Sequence, residues 1–165
     1  MIQPEGRTES VMDGHAGIDL RDHLAPAQVI DLTATAKDAA LLEMVDAVSA
    51  TDAVADRDEL VDAVRAREKI LSTGIGLGIA IPHARISTVG RFVVAVGRHP
   101  TGLDFESIDQ KPVHIVVLIA GPKDTQKPYL ELLAQLSKRL KLSDVRARIT
   151  AGAAPEEVVD LLTER

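Results

Sequence analysis

The sequence predicts one α/β domain in which a central sheet is covered by helices on both faces. A chain of 165 residues is long enough for a single domain with a core of its own. Apolar residues make up 45% of the chain and aromatic residues only 2%, so aliphatic side chains must fill the core, as in α/β packing. Segments with helical spacing of apolar residues interleave with apolar, β-branched runs, and no internal repeat is present.

The first half of the chain predicts a strand followed by two helices. Residues 29–32 form a short apolar run, and residues 37–48 carry apolar side chains at helical spacing. A second helix is expected over residues 56–71, with Ile70 turned inward. Its first turns are acidic and its last turns basic, which complements the helix dipole. Gly74 follows closely, at a place where glycine caps are common.

The second half predicts two strands and two further helices. The strands are expected over residues 91–97 and 112–121, and the helices over residues 127–142 and 155–163. The run 112–121 is continuously apolar and β-branched apart from one histidine, which indicates a central strand covered on both sides. The helix over 127–142 has an apolar stripe that includes Tyr129 and Leu133. Residues 1–18 show no periodicity, so we expect a flexible extension followed by one domain over residues 19–165.

Composition and charge exclude several classes of protein. The net charge of −6 argues against binding to a nucleic-acid backbone, and three aromatic side chains are too few for stacking on bases. Without cysteine, the chain can form neither disulfides nor thiolate metal sites. The chain start is polar, and no apolar run approaches the roughly 20 residues of a membrane helix. We therefore expect a cytoplasmic protein that does not insert into membranes.

The most unusual passage is STGIGLGIAIPH, residues 72–83. It matches neither nucleotide-binding fingerprint, and a helix precedes it while a strand follows, the reverse of what those loops need. Alternatively, the glycines relax the backbone after a helix, residues 79–81 form a short strand, and Pro82 fixes the backbone before His83. A neutral imidazole there can be a nucleophile toward phosphorus, a general base or a metal ligand. On spacing alone, a structural or surface histidine remains open.

The other histidines of the predicted domain give no metal site. His99 precedes a proline at a strand end and is expected in a loop, whereas His114 is expected to be partly satisfied within a strand. Neither is spaced from an acidic residue or another histidine as metal ligands are, so we expect neither a metal nor a cofactor.

Residues 67–83, REKILSTGIGLGIAIPH, closely resemble the signature of the fructose/mannitol-type enzyme IIA domains of the bacterial phosphotransferase system. Residues 102–113, GLDFESIDQKPV, resemble the segment that precedes the core strand of that family. The similarity extends over residues 29–162, and the single-domain format is most similar to the nitrogen-regulatory IIA proteins. The resemblance implies a single domain with a central mixed β-sheet flanked by helices on both faces.

The resemblance also implies a function and its residues. The histidine matching His83 accepts a phosphoryl group from the phosphocarrier HPr, and transport members pass it to a IIB domain, whereas regulatory members control partner proteins. The arginine matching Arg67 lies near the phosphorylated imidazole, where its planar guanidinium can hold phosphate oxygens. Thr73 can donate a further hydrogen bond or simply turn the chain. The expected function is therefore a phosphotransferase-system IIA-like protein, regulatory rather than sugar-transporting.

One position departs from the family pattern. Where members commonly carry a second active-site histidine, at the start of the helix before their Leu-Ala-x-Leu-Ser segment, this chain has Tyr129. A phenol can donate one hydrogen bond to a phosphate but supplies no cation. Arg85 either restores positive charge nearby or is simply solvated. A non-catalytic IIA-fold module that binds a partner is therefore the alternative function.

Overall fold

The computed structural model describes residues 17–164, which form six strands and five α-helices. The strands are β1 (Val29–Asp31), β2 (Gly74–Gly76), β3 (Ile79–Ala80), β4 (His83–Arg85), β5 (Val93–Leu103) and β6 (Val113–Gly121). The helices are α1 (Lys37–Ser49), α2 (Arg57–Ile70), α3 (Gln126–Leu140), α4 (Ser143–Thr150) and α5 (Pro155–Thr163). Residues 1–16, which make up most of the predicted extension, and residue 165 lie outside the described part of the chain.

The strands form one mixed sheet in the order β1-β5-β6-β3-β2, and β4 pairs with β6 beside β3. The β5/β6 and β2/β3 pairs are antiparallel, whereas β1 runs parallel to β5 and both β3 and β4 run parallel to β6. The predicted mixed sheet is therefore confirmed. The predicted strand over residues 91–97 begins at Val93 and is longer than expected, because it continues to Leu103 past a register shift opposite β6.

Helices cover both faces of the sheet, as predicted. Along β6, Val117 and Ile119 pack into one core with residues of α3, α4 and α5. Leu118 and Ala120, which alternate with them, pack into a second core with α1 and α2. This alternation follows from the two-residue period of a strand. The predicted central position of this strand is confirmed, because β6 is buried along almost its whole length.

The predicted helices are present, with three differences. α2 begins after Asp56, whose side chain accepts a hydrogen bond from the Glu59 N–H at 3.1 Å, but Ile70 is 80% exposed, so its inward assignment is wrong. On α3, Leu132 is fully buried, whereas Leu133 is only half-buried. α4, which follows α3 after a short break, was not predicted from the sequence. Among residues 17–164, no helix combines the length and apolarity needed to cross a membrane.

Candidate active site

The glycine-rich passage folds as a tight β-hairpin rather than a relaxed loop. β2 and β3 pair antiparallel through a turn in which Leu77 (φ 59°) and Gly78 (φ 76°) both adopt left-handed conformations, as the favoured two-residue hairpin turns require. Gly74 lies inside β2, and a Cβ there would stand 2.8 Å from the Cα of Ser107. α2 ends instead on Leu71 in an extended conformation, so the predicted glycine cap at Gly74 is wrong.

The hairpin leads directly to His83. β3 pairs with β6 at Ile79 and Ala80, and β4 resumes pairing along the same edge, where His83 lies opposite Ile119. Pro82, between them, has no N–H to donate, but its carbonyl accepts a hydrogen bond from the Ile119 N–H at 3.1 Å. The proline is thus accommodated without an unsatisfied donor. His83 is the first residue of β4, whereas the sequence placed it at the end of the strand over residues 79–81.

The hydrogen bond of the His83 ring determines which nitrogen is free. Nδ1 lies 3.1 Å from the carbonyl oxygen of Ile81. A carbonyl oxygen only accepts hydrogen bonds, so Nδ1 carries the proton in this arrangement and Nε2 carries the lone pair. Within residues 17–164, Nε2 makes no hydrogen bond. The imidazole therefore has an unused nucleophilic nitrogen.

The surroundings of His83 favour its neutral form. Burial lowers the pKa of His83 from the usual 6.5, and the positive charges of Arg67 and Arg85 lower it further. The hydrogen bond to Ile81 and the carboxylate of Glu68 act in the opposite direction, but the net pKa shift is downward. The ring is therefore uncharged at neutral pH, which is the state needed for attack by Nε2.

Tyr129 lies against His83 from the first turns of α3. The two ring centroids are 4.9 Å apart with 32° between the ring planes, and the guanidinium carbon of Arg85 lies 5.2 Å from the Tyr129 centroid. This arrangement combines ring packing with a cation–π contact. Burial raises the pKa of Tyr129 above 10.0, so its hydroxyl stays protonated. Arg85 is brought to the site because residues two apart in a strand share a face, a signal that the sequence contains.

Arg67, Thr73, His83 and Tyr129 line one cleft of about 440 Å³. Arg67 also borders, with His83, a second and more open cleft of about 640 Å³ that Arg85 and Lys123 share. The Arg67 Nη1 donates to the Leu71 carbonyl at 2.7 Å, which fixes the guanidinium at the end of α2. The guanidinium groups of Arg67 and Arg85 therefore both lie near His83.

Thr73 is oriented differently from the other three residues. Its hydroxyl donates to Oε1 of Glu68 at 2.7 Å, and its backbone N–H donates to Oε2 of Glu68 at 2.8 Å. Lys37 also contacts Oε2 of Glu68, at 2.9 Å. Neither Glu68 nor Lys37 was predicted as a site residue, because nothing local in the sequence links the start of α1 with the end of α2.

His99 and His114 make hydrogen bonds within the fold. The expectation of His99 in a loop is wrong: it is buried within β5, with Nε2 3.0 Å from the Ala34 carbonyl and Nδ1 accepting from the Gly102 N–H. His114 is half-buried and its Nδ1 lies 3.0 Å from the His99 carbonyl, which agrees with a partly satisfied strand position. In the described part of the chain, no group of three or more histidine or acidic side chains is placed to hold a metal ion.

Comparison with known proteins agrees with the resemblance seen in the sequence. The chain is 33% identical over 143 residues to a fructose-specific EIIA component of Haloferax volcanii, covering 86% of this chain and 93% of that protein. It is 32% identical over 135 residues to a fructose-specific EIIABC component of Bacillus subtilis, covering 82% of this chain but only 21% of that longer protein.

Regulatory relatives and solved structures match as well. The chain is 33% identical over 128 residues to a nitrogen regulatory protein of Klebsiella oxytoca, covering 74% of this chain and 76% of the relative. The crystal structure of the nitrogen regulatory protein IIA-Ntr from Neisseria meningitidis superposes with a TM-score of 0.81 at 26% identity, covering 87% and 99% of the two chains. IIA mannitol from Escherichia coli, with a TM-score of 0.73 and 23% identity over 84% and 98% of the two chains, shares the fold.

The model of the family "Phosphoenolpyruvate-dependent sugar phosphotransferase system, EIIA 2" matches residues 26–165. The sequence match, the mixed sheet covered on both faces and the structural neighbours agree on one fold, the IIA fructose/mannitol type. The chain belongs to the EIIA 2 family of the phosphoenolpyruvate-dependent sugar phosphotransferase system.

Proposed function

We propose that this IIA-type protein accepts a phosphoryl group from HPr on Nε2 of His83, in the cytoplasm. The observation that carries the proposal is the hydrogen bond between His83 Nδ1 and the Ile81 carbonyl, which leaves Nε2 unprotonated beside a cleft. The lowered pKa of His83 keeps the ring neutral, and Arg67 and Arg85 supply positive charge near it. Phosphoryl transfer needs little beyond such positioning and charge neutralisation.

The proposed step balances with the groups at hand. The Nε2 lone pair attacks the phosphorus, a nitrogen–phosphorus bond forms, and the bond from phosphorus to the donor atom of HPr breaks, leaving its electron pair on the donor. Nδ1 keeps its proton and its hydrogen bond to the Ile81 carbonyl, which stabilises the positive charge that develops on the ring. The guanidinium of Arg67 binds the phosphoryl oxygens, and Arg85 adds a second positive charge.

We propose a regulatory role rather than sugar transport for the phosphorylated protein. The structural match to IIA-Ntr and the sequence matches to nitrogen regulatory proteins support this choice. The fructose-specific relatives make a IIB domain the competing recipient. A structural neighbour, enzyme IIA mannitol of Escherichia coli, is known in complex with phosphorylated enzyme IIB mannitol. The phosphorylated protein should therefore be offered IIB domains from its own source, and rapid, complete transfer to one of them would contradict a purely regulatory role.

Acceptance by His83 is tested with phosphoenolpyruvate, enzyme I and HPr from the same source. Intact-mass spectrometry should show the gain of one phosphoryl group that is lost in acid, and His83→Ala should show none. The matched control is His23→Gln, because the His23 Nδ1 lies 2.8 Å from the Phe92 carbonyl and an amide can replace that contact. His23→Gln should be labelled like the wild type. Absence of label in the wild type, or label retained by His83→Ala, would contradict the proposal.

The second candidate is a non-catalytic IIA-fold module that acts by binding a partner. It is favoured by Tyr129, which packs on His83 and remains a neutral phenol where the resemblance leads us to expect a histidine. If the natural site is competent, Tyr129→His should leave the rate of phosphorylation nearly unchanged, with Tyr129→Phe as the control for ring packing. A large gain in rate with Tyr129→His would instead support the second candidate.

A further inference from the structure

Glu68 is a buried carboxylate beside the site, and its oxygens accept short hydrogen bonds from polar and charged groups. The residue is only 7% exposed, although it neighbours the solvent-facing Arg67 on α2. Its two oxygens accept from the Thr73 hydroxyl, the Thr73 N–H and the Lys37 ammonium at 2.7, 2.8 and 2.9 Å. A carboxylate removed from water is tolerated only with such partners, so the position is built for a charged group.

Lys37 is itself held in place. It is the first residue of α1, and its ammonium also contacts Oε1 of Glu106 at 3.2 Å and lies 5.0 Å from the ring centroid of Phe105. Its side chain is 18% exposed. The pair of Lys37 and Glu68 therefore ties α1, the end of α2 and the segment after β5 to Thr73.

A chain of backbone contacts leads from this pair to the reactive imidazole. The carbonyl of Thr73 accepts a hydrogen bond from the Ile81 N–H at 3.0 Å. The carbonyl of Ile81 in turn accepts from Nδ1 of His83 at 3.1 Å. Ala80 and Pro82, on either side of Ile81, pair with or bond to β6, whereas the Ile81 N–H bonds to Thr73. The position of Thr73 therefore contributes to the direction of the carbonyl that binds the imidazole.

We propose that Glu68 is a positioning residue for phosphoryl acceptance, which holds His83 through Thr73 and Ile81 in the orientation that leaves Nε2 free. The inference rests on the function proposed for His83. The same anchor acts on Arg67, because Arg67 donates to the Leu71 carbonyl, two residues before Thr73. Glu68 does not line the cleft, so it acts on His83 through these neighbours and through its negative charge, which raises the pKa of the imidazole.

The test replaces Glu68 by glutamine, which keeps the shape and removes the charge. With the amide nitrogen at the Oε2 place, the Thr73 N–H and Lys37 Nζ both lose their acceptor. With the amide reversed, the Thr73 hydroxyl must change from donor to acceptor, and in either orientation Lys37 loses its ionic partner. Nitrogen-15 NMR of the His83 ring should show a smaller fraction of the Nδ1–H tautomer in Glu68→Gln than in the wild type. The kcat of phosphoryl acceptance should fall by up to about a hundredfold, as for small misplacements of reacting groups, with the KM for HPr unchanged.

The matched control is Glu59→Gln, also on α2. Glu59 accepts a hydrogen bond from the Thr88 hydroxyl at 2.6 Å on the exposed surface, so the substitution removes the same kind of contact away from the site. It should change neither the tautomer fraction nor the kcat. If Glu68→Gln does not fold, the pair Thr73→Val and Thr73→Ser replaces it, since only serine keeps the hydroxyl that binds Glu68. Valine should then shift the tautomer and serine should restore it.

The outcomes separate this inference from the proposed function. A wild-type ring tautomer and wild-type kcat in Glu68→Gln would overturn the inference. So would a lower kcat with an unchanged tautomer and a reduced free energy of unfolding, because that combination describes a merely structural residue. If the wild type accepts no phosphoryl group, the proposed function fails, and the tautomer comparison still decides whether Glu68 positions the imidazole.

Discussion

Substitution of Gly121 by alanine tests whether the end of β6 is packed as closely as the structure shows. Gly121 is the last residue of β6 and lies opposite Arg85 of β4, so it forms part of the strand that presents the site. A Cβ at Gly121 would stand 2.2 Å from Cε1 of Phe92, about 1.2 Å short of the 3.4 Å at which ordinary van der Waals contact begins. Two further atoms of the same ring would lie within 2.8 Å, so the whole ring must move.

Movement of the Phe92 ring is costly because Phe92 is only 4% exposed and belongs to the core between the sheet and α3 to α5. Overpacking of this kind costs about 1–3 kcal/mol, and we expect the upper half of that range because backbone and ring are both confined. For a domain of this size, each kcal/mol lowers the Tm by about 2–4 °C.

The free energy of unfolding is measured by urea denaturation followed by far-ultraviolet circular dichroism, because the chain has no tryptophan. Gly90→Ala is the control, since a Cβ there meets its nearest atom only at 4.0 Å. Phe92→Leu should relieve the clash, so the double variant Gly121→Ala/Phe92→Leu should lose less than the sum of the single variants, by about 1 kcal/mol or more. A Gly121→Ala protein as stable as Gly90→Ala, or strict additivity in the cycle, would refute the reasoning.

Three further predictions concern charged groups. Because burial lowers the pKa of His83 from 6.5, phosphoryl acceptance should persist as the pH falls to that value and decline only below it. The contribution of His83 to stability is complete above its unfolded pKa and is lost as the pH falls through the folded pKa. NMR titration of the wild type gives the pKa of His83, and the pH dependence of unfolding is compared between the wild type and His83→Gln. A His83 pKa above 6.5 would contradict both predictions. Arg98→Met should cost about 2 kcal/mol in urea unfolding, because the buried guanidinium donates to the Ala153 carbonyl, which would lose this donor, whereas the Ile149 carbonyl keeps the Gly152 N–H. Arg65→Gln should cost clearly less than Arg98→Met in the same assay, since its pair with Asp38 is largely exposed, and an equal cost would count against this distinction.

The layered fold was predictable because its signals are local and strong. The β-branched run that became β6 and the apolar spacing of α1 are properties of ten or so consecutive residues, which is the length over which periodicity can be read. α4 was missed because its eight residues bury only Val145 and Ile149, two positions that do not define a helical stripe. Its helical form depends on packing against the sheet and α3, which no local pattern reports.

The conformation of the glycine-rich passage, by contrast, was not predictable from local sequence. Gly74 follows closely after a helix end, where glycine caps are common. In the structure, a glycine is needed there because the backbone passes against Ser107, which is 33 positions away in the sequence. Likewise, His99 precedes a proline, which suggested a strand end, yet β5 continues through it because its ring is held by Ala34 and Gly102. In both cases a distant contact overrides a correct local preference.

The candidate site, too, was only partly predictable from the sequence. Arg67, Thr73 and His83 come from one continuous stretch and could be selected from the sequence, whereas their relation to Tyr129 depends on how α3 packs against the sheet. That packing shows which groups Tyr129 contacts. Its ring contacts both the neutral imidazole of His83 and the guanidinium of Arg85, so a positive charge is present on β4, two residues from His83. On the proposed function, Arg85 supplies the second cation at a site where the family resemblance leads us to expect a histidine on α3. The competence of the site is therefore tested by substituting both Tyr129 and Arg85.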